Sequence, residues 1–364
     1  AFARAVADAG LIFIGAPADV IERMGSKRAA KRLLRDIPLV PGYSGDDQSD
    51  DALLTAARAI GFPLLIKASA GGGGKGMRVV YSADDFPEAV TSARREAQQA
   101  FGDSTLLLEQ LIDRPRHVEV QIFGDAVGSV IALGERDCSI QRRHQKIIEE
   151  TPSPAVSPAL RADLCAAAVE IGRQLGYVGA GTVEFLLDPA GRFYFLEVNT
   201  RLQVEHPVTE LVTGLDLVEW QIRVAEGERL PTREVVPNGH AIECRLYAED
   251  PVNGFLPVTG TVLRWEAPPN ARCDSGIQTG DVISPYYDPI LAKVIAHGRT
   301  RAEALRRLRD ALDRTVLLGL TTNLGLLRRI AQHDSFAEGM FDTSFLDQHP
   351  DLLADDSAPP VPTL

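Results

Sequence analysis

Residues 63–81 read PLLIKASAGGGGKGMRVVY, and this stretch decides the fold. Gly71, Gly73 and Gly76 satisfy G-x-G-x-x-G, with Lys75 among them. A dinucleotide-binding fold needs a helix directly after such a loop, whereas Met77-Arg78-Val79-Val80-Tyr81 is β-branched and strand-like. A P-loop needs Ser or Thr after the lysine, and Gly76 stands there instead. Strand, glycines, strand is the pattern of a hairpin lid whose backbone N–H groups, with Lys75, fold over phosphates. A plain mobile hairpin is the alternative. Four consecutive glycines carry a backbone entropy cost that argues against it.

Around this loop the periodicities predict a compact α/β unit: helix 51–60, strand 63–67, strand 77–81, helix 84–99 and strand 105–109. Upstream, residues 11–14 read as a strand entered from a helix, and 18–34 as a helical link. Downstream the chain is richer in strands, at 117–123, 130–133, 181–199 and 240–247, with helices at 159–175, 215–225 and 301–313. The end, 355–364, is rich in Pro and Ala without periodicity and reads as a linker or disordered tail.

The 364 residues can bury more than one domain's core. A hydrophobic share of 45% and a charged share of 24% are those of an ordinary globular chain. The net charge of −12 argues against a nucleic-acid partner, which usually calls for the opposite balance. Cys138, Cys165, Cys244 and Cys273 form no CxxC pair, as expected of reduced thiols in a cytosol-like compartment. No apolar run reaches membrane-spanning length, and the apolar core at 11–14 is too short for a signal peptide. With Ala at position 1, the chain is expected to begin inside a domain.

Residues 182–187 and 192–199 flank Asp188-Pro189-Ala190-Gly191, a turn composition. A four-residue loop would put Glu184 opposite Phe195 and diagonal to Glu197. Period two then places Glu184, Glu197 and Asn199 on one face. Two carboxylates and an amide among large apolar residues repel unless a cation lies between them, and oxygen ligands select Mg²⁺ or Mn²⁺ over zinc. A solvated polar edge is the bland reading.

In an extended segment just beyond, Arg201, Gln203 and Glu205 project to one side. A guanidinium can clamp a planar oxyanion and a neighbouring carboxylate can take its proton, which suits activation of a small acid such as bicarbonate. An Arg201–Glu205 salt bridge fits the spacing equally well. The basic run Arg136, Arg142, Arg143, His144 and Lys146 is either a solvated face or positive charge for phosphates and bicarbonate.

With these pieces in order, the sequence resembles the biotin carboxylase branch of the ATP-grasp superfamily. The resemblance rests on MGSK (24–27), IKA (66–68) with AGGGGKGM (70–77), RHVE (116–119), ERDCSIQRRHQK (135–146), FLEVN (195–199) with TRLQVEHPVTE (200–210), ECR (243–245) and YYD (286–288). These cover almost the whole chain in family order, and ERDCSIQRRHQK and EVNTRLQVEHPVTE are the most specific. The implied fold is α/β (α+β): an ATP-grasp fold with a small glycine-loop lid subdomain at 39–111 and a larger mixed-sheet C-terminal domain at 112–350. Residues 1–38 would be a remnant of an N-terminal Rossmann-like domain plus helical linker, and 351–364 a Pro-rich tail.

The resemblance also implies roles. Lys27 and Lys67 bind ATP phosphates under a loop that includes Gly72, Gly73 and Gly74. Glu109 sits at the adenine, with His117, Gln141 and His144 around the nucleotide. Glu184, Glu197 and Asn199 hold Mg²⁺ (or Mn²⁺). Lys146, Arg201, Gln203, Val204 and Glu205 bind bicarbonate, Glu205 is the base, and Arg245 stabilises the biotin enolate. The implied partners are a biotin carrier domain and a carboxyltransferase subunit, within a homo-oligomer in the cytoplasm or, in a eukaryote, the mitochondrial matrix. The family's first domain, which supplies a tyrosine of the biotin pocket and part of the dimer surface, is mostly absent from this sequence. Another ATP-grasp ligase, or a nucleotide-binding fragment without turnover, are the competing readings.

Overall fold

The computed structural model describes residues 1–34, 37–70, 77–143, 145–230 and 235–353. Loop residues 71–76 (Gly72, Gly73 and Gly74 among them), His144 and the tail from 354 lie outside the described residues. The chain divides into two compact units: residues 1–133, 158–203 and 216–234, and residues 134–157, 204–215 and 235–364.

In the first unit, a four-stranded antiparallel sheet runs in the order Gly42–Tyr43, Leu106–Gln110, Leu64–Ala68, Arg78–Val80. Period two turns Leu64 and Ile66 inward, where they meet Leu53 and Ala57 of helix Asp50–Ile60 and Phe86, Val90 and Ala93 of helix Phe86–Phe101. The first helix starts where the Ser49 side chain accepts from Ala52 N, and the second stops at Gly102, whose φ of 71° suits glycine. Lys67 and Glu109 fall on the sheet's other face, because Glu109 pairs with Leu65, two residues before Lys67.

The same unit contains antiparallel strands Arg116–Gly124, Gly179–Leu187 and Phe193–Asn199. Helix Pro158–Leu175 packs against the first of them and buries Leu164, Ala168, Ile171 and Leu175. At Gly124 a Cβ would lie 1.9 Å from the Tyr177 carbonyl oxygen, so only glycine fits there. The hairpin register differs from expectation: Glu184 pairs with Glu197, not Phe195. Asp188 explains the shift. Its N–H donates to Arg192 O at 2.9 Å and its carboxylate accepts from Ala190 N and Arg192 N, closing a three-residue loop with Gly191 at φ 82°. A bulge between Glu184 and Phe185 moves the register once more.

The expected strand at 11–14 does not form. Leu11 and Ile12 are exposed and have no neighbouring strand to pair with among the described residues. The helical link is two short helices, Ala18–Met24 and Lys27–Leu33.

In the second unit, antiparallel strands follow the order Arg272–Ser275, Ile290–Gly298, His240–Tyr247, Gln145–Thr151 and the part of Val130–Arg142 from Gly134 onward. One face carries Ile148, Ile242, Cys244, Leu246, Val294 and Ala296 into a core with helices Arg301–Arg314 and Leu324–Gln332. The other carries Ala241 and Ile295 against Val208 and Val212 of helix His206–Thr213. On that second face the strands also hold Glu149, Glu243, Arg245 and Lys293, set by the pairs Glu243–Glu149 and Arg245–Lys293.

Among the described residues no helix is long and apolar enough to cross a membrane, and no disulfide joins the four cysteines.

Candidate functional site

Within the first unit, the Lys67 ammonium lies 2.5 Å from a Glu109 oxygen, and Lys31 also pairs with Glu109. Burial alone would push the Glu109 carboxyl up, but Lys67 and Lys31 overcome it and hold it down at about 2. Burial lowers the Lys31 ammonium despite Glu109. Lys31 was not singled out from sequence, yet it stands one helical turn after Lys27 in helix Lys27–Leu33, and that spacing was the available signal. Three lysines therefore sit in the part of the unit expected to receive phosphates.

The carboxylate hairpin contains more than was expected of it. Glu119 pairs with Glu184 and Glu184 with Glu197, so three glutamates form a row across three strands. Asn199 Nδ2 donates to Glu184 Oε1 at 2.8 Å, Gln203 Nε2 reaches the same oxygen at 3.4 Å, and His117 Nε2 lies 3.0 Å from Oε2. Lys27 Nζ stands 3.6 Å from Glu197 Oε2. Ligand atoms of His117, Glu119 and Glu184 all lie within 4.8 Å of one another. Facing carboxylate oxygens with an amide beside them fit a hard divalent cation, so Glu184, Glu197 and Asn199 would hold it, with Glu119 at hand. Period two from His117 was the signal that would have added Glu119.

Within the second unit, Glu205 is the N-cap residue of helix His206–Thr213. Its carboxylate accepts from Lys146 Nζ at 2.6 Å and from Arg245 Nη2 at 2.9 Å, and it is almost fully buried. Arg245 also donates from Nε to Glu149 Oε1 at 2.5 Å, so one guanidinium spans two carboxylates. Burial would lower the Arg245 pKa, but Glu149 and Glu205 raise it well above the usual value, which keeps it cationic. A carboxylate held by one ammonium and one guanidinium can take a proton from a small oxyacid while the two cations hold the anion that results.

The extended alignment expected of Arg201, Gln203 and Glu205 is absent. The chain bends at Arg201 and turns at Val204–Glu205 into the helix, so the three do not share a side. Gln203 faces Glu184, Glu205 faces Lys146 and Arg245, and Arg201 is exposed with Nη1 on Leu202 O at 3.2 Å. Val204 presents its carbonyl to Lys293 Nζ at 2.7 Å. Gln141 pairs in register with Lys146, and its amide donates to Cys138 O. The basic run is not one solvated face. Arg136 is fully buried against the Thr209 hydroxyl, and Arg142 is buried against Glu249. Arg143 is exposed, and Lys146 meets Glu205.

Two family models match the chain: carbamoyl-phosphate synthase L chain, ATP binding domain, over residues 23–233, and biotin carboxylase C-terminal domain, over residues 243–348. The biotin carboxylase of Nostoc sp. is 47% identical over 353 residues, covering 95% of this chain and 79% of that protein. The chain belongs to the biotin carboxylase family. The mitochondrial methylcrotonoyl-CoA carboxylase subunit alpha of Arabidopsis thaliana is 51% identical over 367 residues, 98% of this chain and 50% of that subunit. The chain thus spans about half the length of the carboxylase α subunits it matches. Among solved structures, the biotin carboxylase domain of Hydrogenobacter thermophilus 2-oxoglutarate carboxylase, in complex with MgADP, ADP and bicarbonate, is 42% identical with a TM-score of 0.94, covering 97% of this chain and 80% of that one. A biotin carboxylase–β-γ-ATP complex from Campylobacter jejuni is 40% identical with a TM-score of 0.92, covering 96% and 79%. The biotin carboxylase fold is accordingly the ATP-grasp arrangement that the sequence resemblance implied.

Proposed function

We propose that this chain is the biotin carboxylase component of an acyl-CoA carboxylase and carboxylates biotin with ATP and bicarbonate. The observation that carries this reading is Glu205, a buried carboxylate held at once by Lys146 and Arg245.

Lys27, Lys67 and Lys31 neutralise the phosphates of ATP, with the 71–76 loop closing over them. Glu109, held as an anion by its lysines, would sit at the adenine, with His117, Gln141 and His144 around the nucleotide. A divalent cation held by Glu184, Glu197 and Asn199 supplies charge neutralisation at the phosphoryl group being transferred. Lys146, Arg201, Gln203 and the Val204 backbone bind bicarbonate, and Glu205 takes its proton. The bicarbonate oxygen attacks the γ-phosphorus and ADP leaves, giving carboxyphosphate. Carboxyphosphate breaks into CO₂ and phosphate, and phosphate removes the ureido N–H proton of biotin. Arg245 stabilises the enolate, which captures CO₂. Water must be excluded throughout, which is the work of the lid.

The biotin would arrive on a carrier domain and leave to a carboxyltransferase subunit, which chooses the acyl-CoA. A homo-oligomer in the cytoplasm or the mitochondrial matrix fits this role. The test is ADP release by the purified chain with ATP and Mg²⁺, adding bicarbonate and free biotin separately and together. Stimulation that needs both supports the reading. ATP binding with no stimulation by either would reduce the chain to a nucleotide-binding piece.

A further inference from the structure

Two carboxylates beside Arg245 have no part in the reaction set out above. Glu149, on strand Gln145–Thr151, and Glu243, on strand His240–Tyr247, are direct register partners, so their side chains leave the same face about 5 Å apart at Cβ. Both are fully buried. One Glu149 oxygen accepts from Arg245, while the other Glu149 oxygen and both Glu243 oxygens have no hydrogen-bond partner among the described residues. Buried polar atoms are rarely left so, and two ionised carboxylates side by side in a low dielectric repel strongly.

The groups facing the pair do not relieve this. Arg245 and Tyr247 lie on the Glu243 strand, Lys146 on the Glu149 strand, Lys293 on strand Ile290–Gly298, and Glu205 at the start of helix His206–Thr213. Each of the three cations already faces another carboxylate. Lys146 holds Glu205, Arg245 divides itself between Glu149 and Glu205, and Lys293 stands 3.3 Å from Asp274 with its ammonium on Val204 O. Burial pushes Glu149 up to about 7 against the pull of Arg245. Burial, with Glu149 beside it, pushes Glu243 well above the carboxylate range.

We propose that Glu149 and Glu243 hold one proton between them, carried on Glu243 and shared toward Glu149, and that the braced Glu149 carboxylate positions Arg245 against Glu205. Glu149 is then a positioning residue, acting on biotin only through Arg245. A proton on Glu243 gives a donor to the oxygens that otherwise lack one and removes one of two adjacent negative charges. The Glu149 carboxylate fixes one edge of the guanidinium, leaving the other for Glu205 and the substrate.

The proton is read without any turnover, by isotope-edited infrared spectroscopy of the full chain carrying carboxyl-labelled glutamate. The wild type should show the C=O stretch of a protonated glutamic acid near neutral pH, and Glu243→Gln should lose it. No such band in the wild type, or the same band in Glu243→Gln, overturns the shared proton. If Glu243→Gln does not fold, the wild-type band alone decides, since it must persist at neutral pH and vanish in alkali. The positioning role rests on the biotin carboxylase reading and is tested by Glu149→Gln, which should raise KM for biotin about tenfold or more, the scale of one lost charged hydrogen bond, with KM for ATP unchanged. Unchanged KM for biotin overturns it. A wild type that binds ATP but never carboxylates biotin sinks the proposed function and leaves the infrared result to judge the proton.

Discussion

Glu184 and Glu197 stand directly opposite one another on adjacent antiparallel strands, with the Asn199 amide on the first and the Lys27 ammonium beside the second. Facing carboxylates at that separation form a cation site or a repulsive pair. Glu197→Ala should lower Mg²⁺-dependent ATP turnover at least about a hundredfold and abolish protection against unfolding by Mg²⁺ with ADP. Thermal melts with and without Mg²⁺ and ADP check this. Protection equal to the wild type would remove Glu197 as a ligand.

Glu205→Gln keeps the shape of the side chain but cannot accept a proton as a carboxylate does. ATP binding should be preserved within about threefold, while bicarbonate-dependent turnover falls by a factor on the order of 10² to 10⁴, the range for general-base removal. Steady-state kinetics with nucleotide binding measured in parallel separates the two. Turnover like the wild type would dismiss Glu205 as the base.

The Lys31–Glu109–Lys67 group gives a pH dependence of known sign. Glu109 is held at about 2, below the 4.5 of an ordinary glutamate, so between those values the unfolded chain binds a proton that the folded chain does not. The stability it contributes is present above pH 4.5 and drains away as pH falls toward 2. Lys67→Met, which leaves one lysine on a buried carboxylate, should cost on the order of 3 kcal/mol at neutral pH and flatten the decline in that window. Urea unfolding across pH 2 to 6 reports both. Identical acid slopes in the two proteins would contradict the assignment. The Glu149–Glu243 pair works the other way: burial raises both carboxyls, so the proton that the folded pair holds contributes stability that weakens as pH rises above the usual carboxylate range.

Gly124→Ala drives a methyl group to within 1.9 Å of the Tyr177 carbonyl oxygen, a backbone atom that has no rotamer to escape into. The expected loss is about 1–3 kcal/mol of stability, read by chemical denaturation. An unchanged midpoint would mean that the strand pair Arg116–Gly124 and Gly179–Leu187 is placed otherwise than described.

Much of this was legible from residue pattern. The glycine loop between two strands argued against the dinucleotide fold, and the strands expected at 63–67 and 105–109 form as Leu64–Ala68 and Leu106–Gln110. Glu184, Glu197 and Asn199 shared a face as period two required, even though the register was wrong. The error came from Asp188, whose side chain folds over the turn and shortens the loop, a local hydrogen-bond choice that composition does not reveal. Arg201, Gln203 and Glu205 were misaligned for a related reason: a period-two argument holds only while the chain stays extended, and Glu205 already caps a helix. Charge density misled at the basic run, because Arg136 and Arg142 find buried partners, Thr209 and Glu249, far away in sequence. The Glu149–Glu243 pair was invisible for the same reason, since it arises from pairing between strands about ninety residues apart.

The most direct measurement is transfer of radiolabel from bicarbonate to biotin by the purified chain. The account predicts an acid-labile labelled biotin that forms only with ATP and Mg²⁺ present and that disappears in Glu205→Gln. Label in biotin no higher than in a blank without ATP, from a chain shown to be folded and to bind ATP, would contradict it.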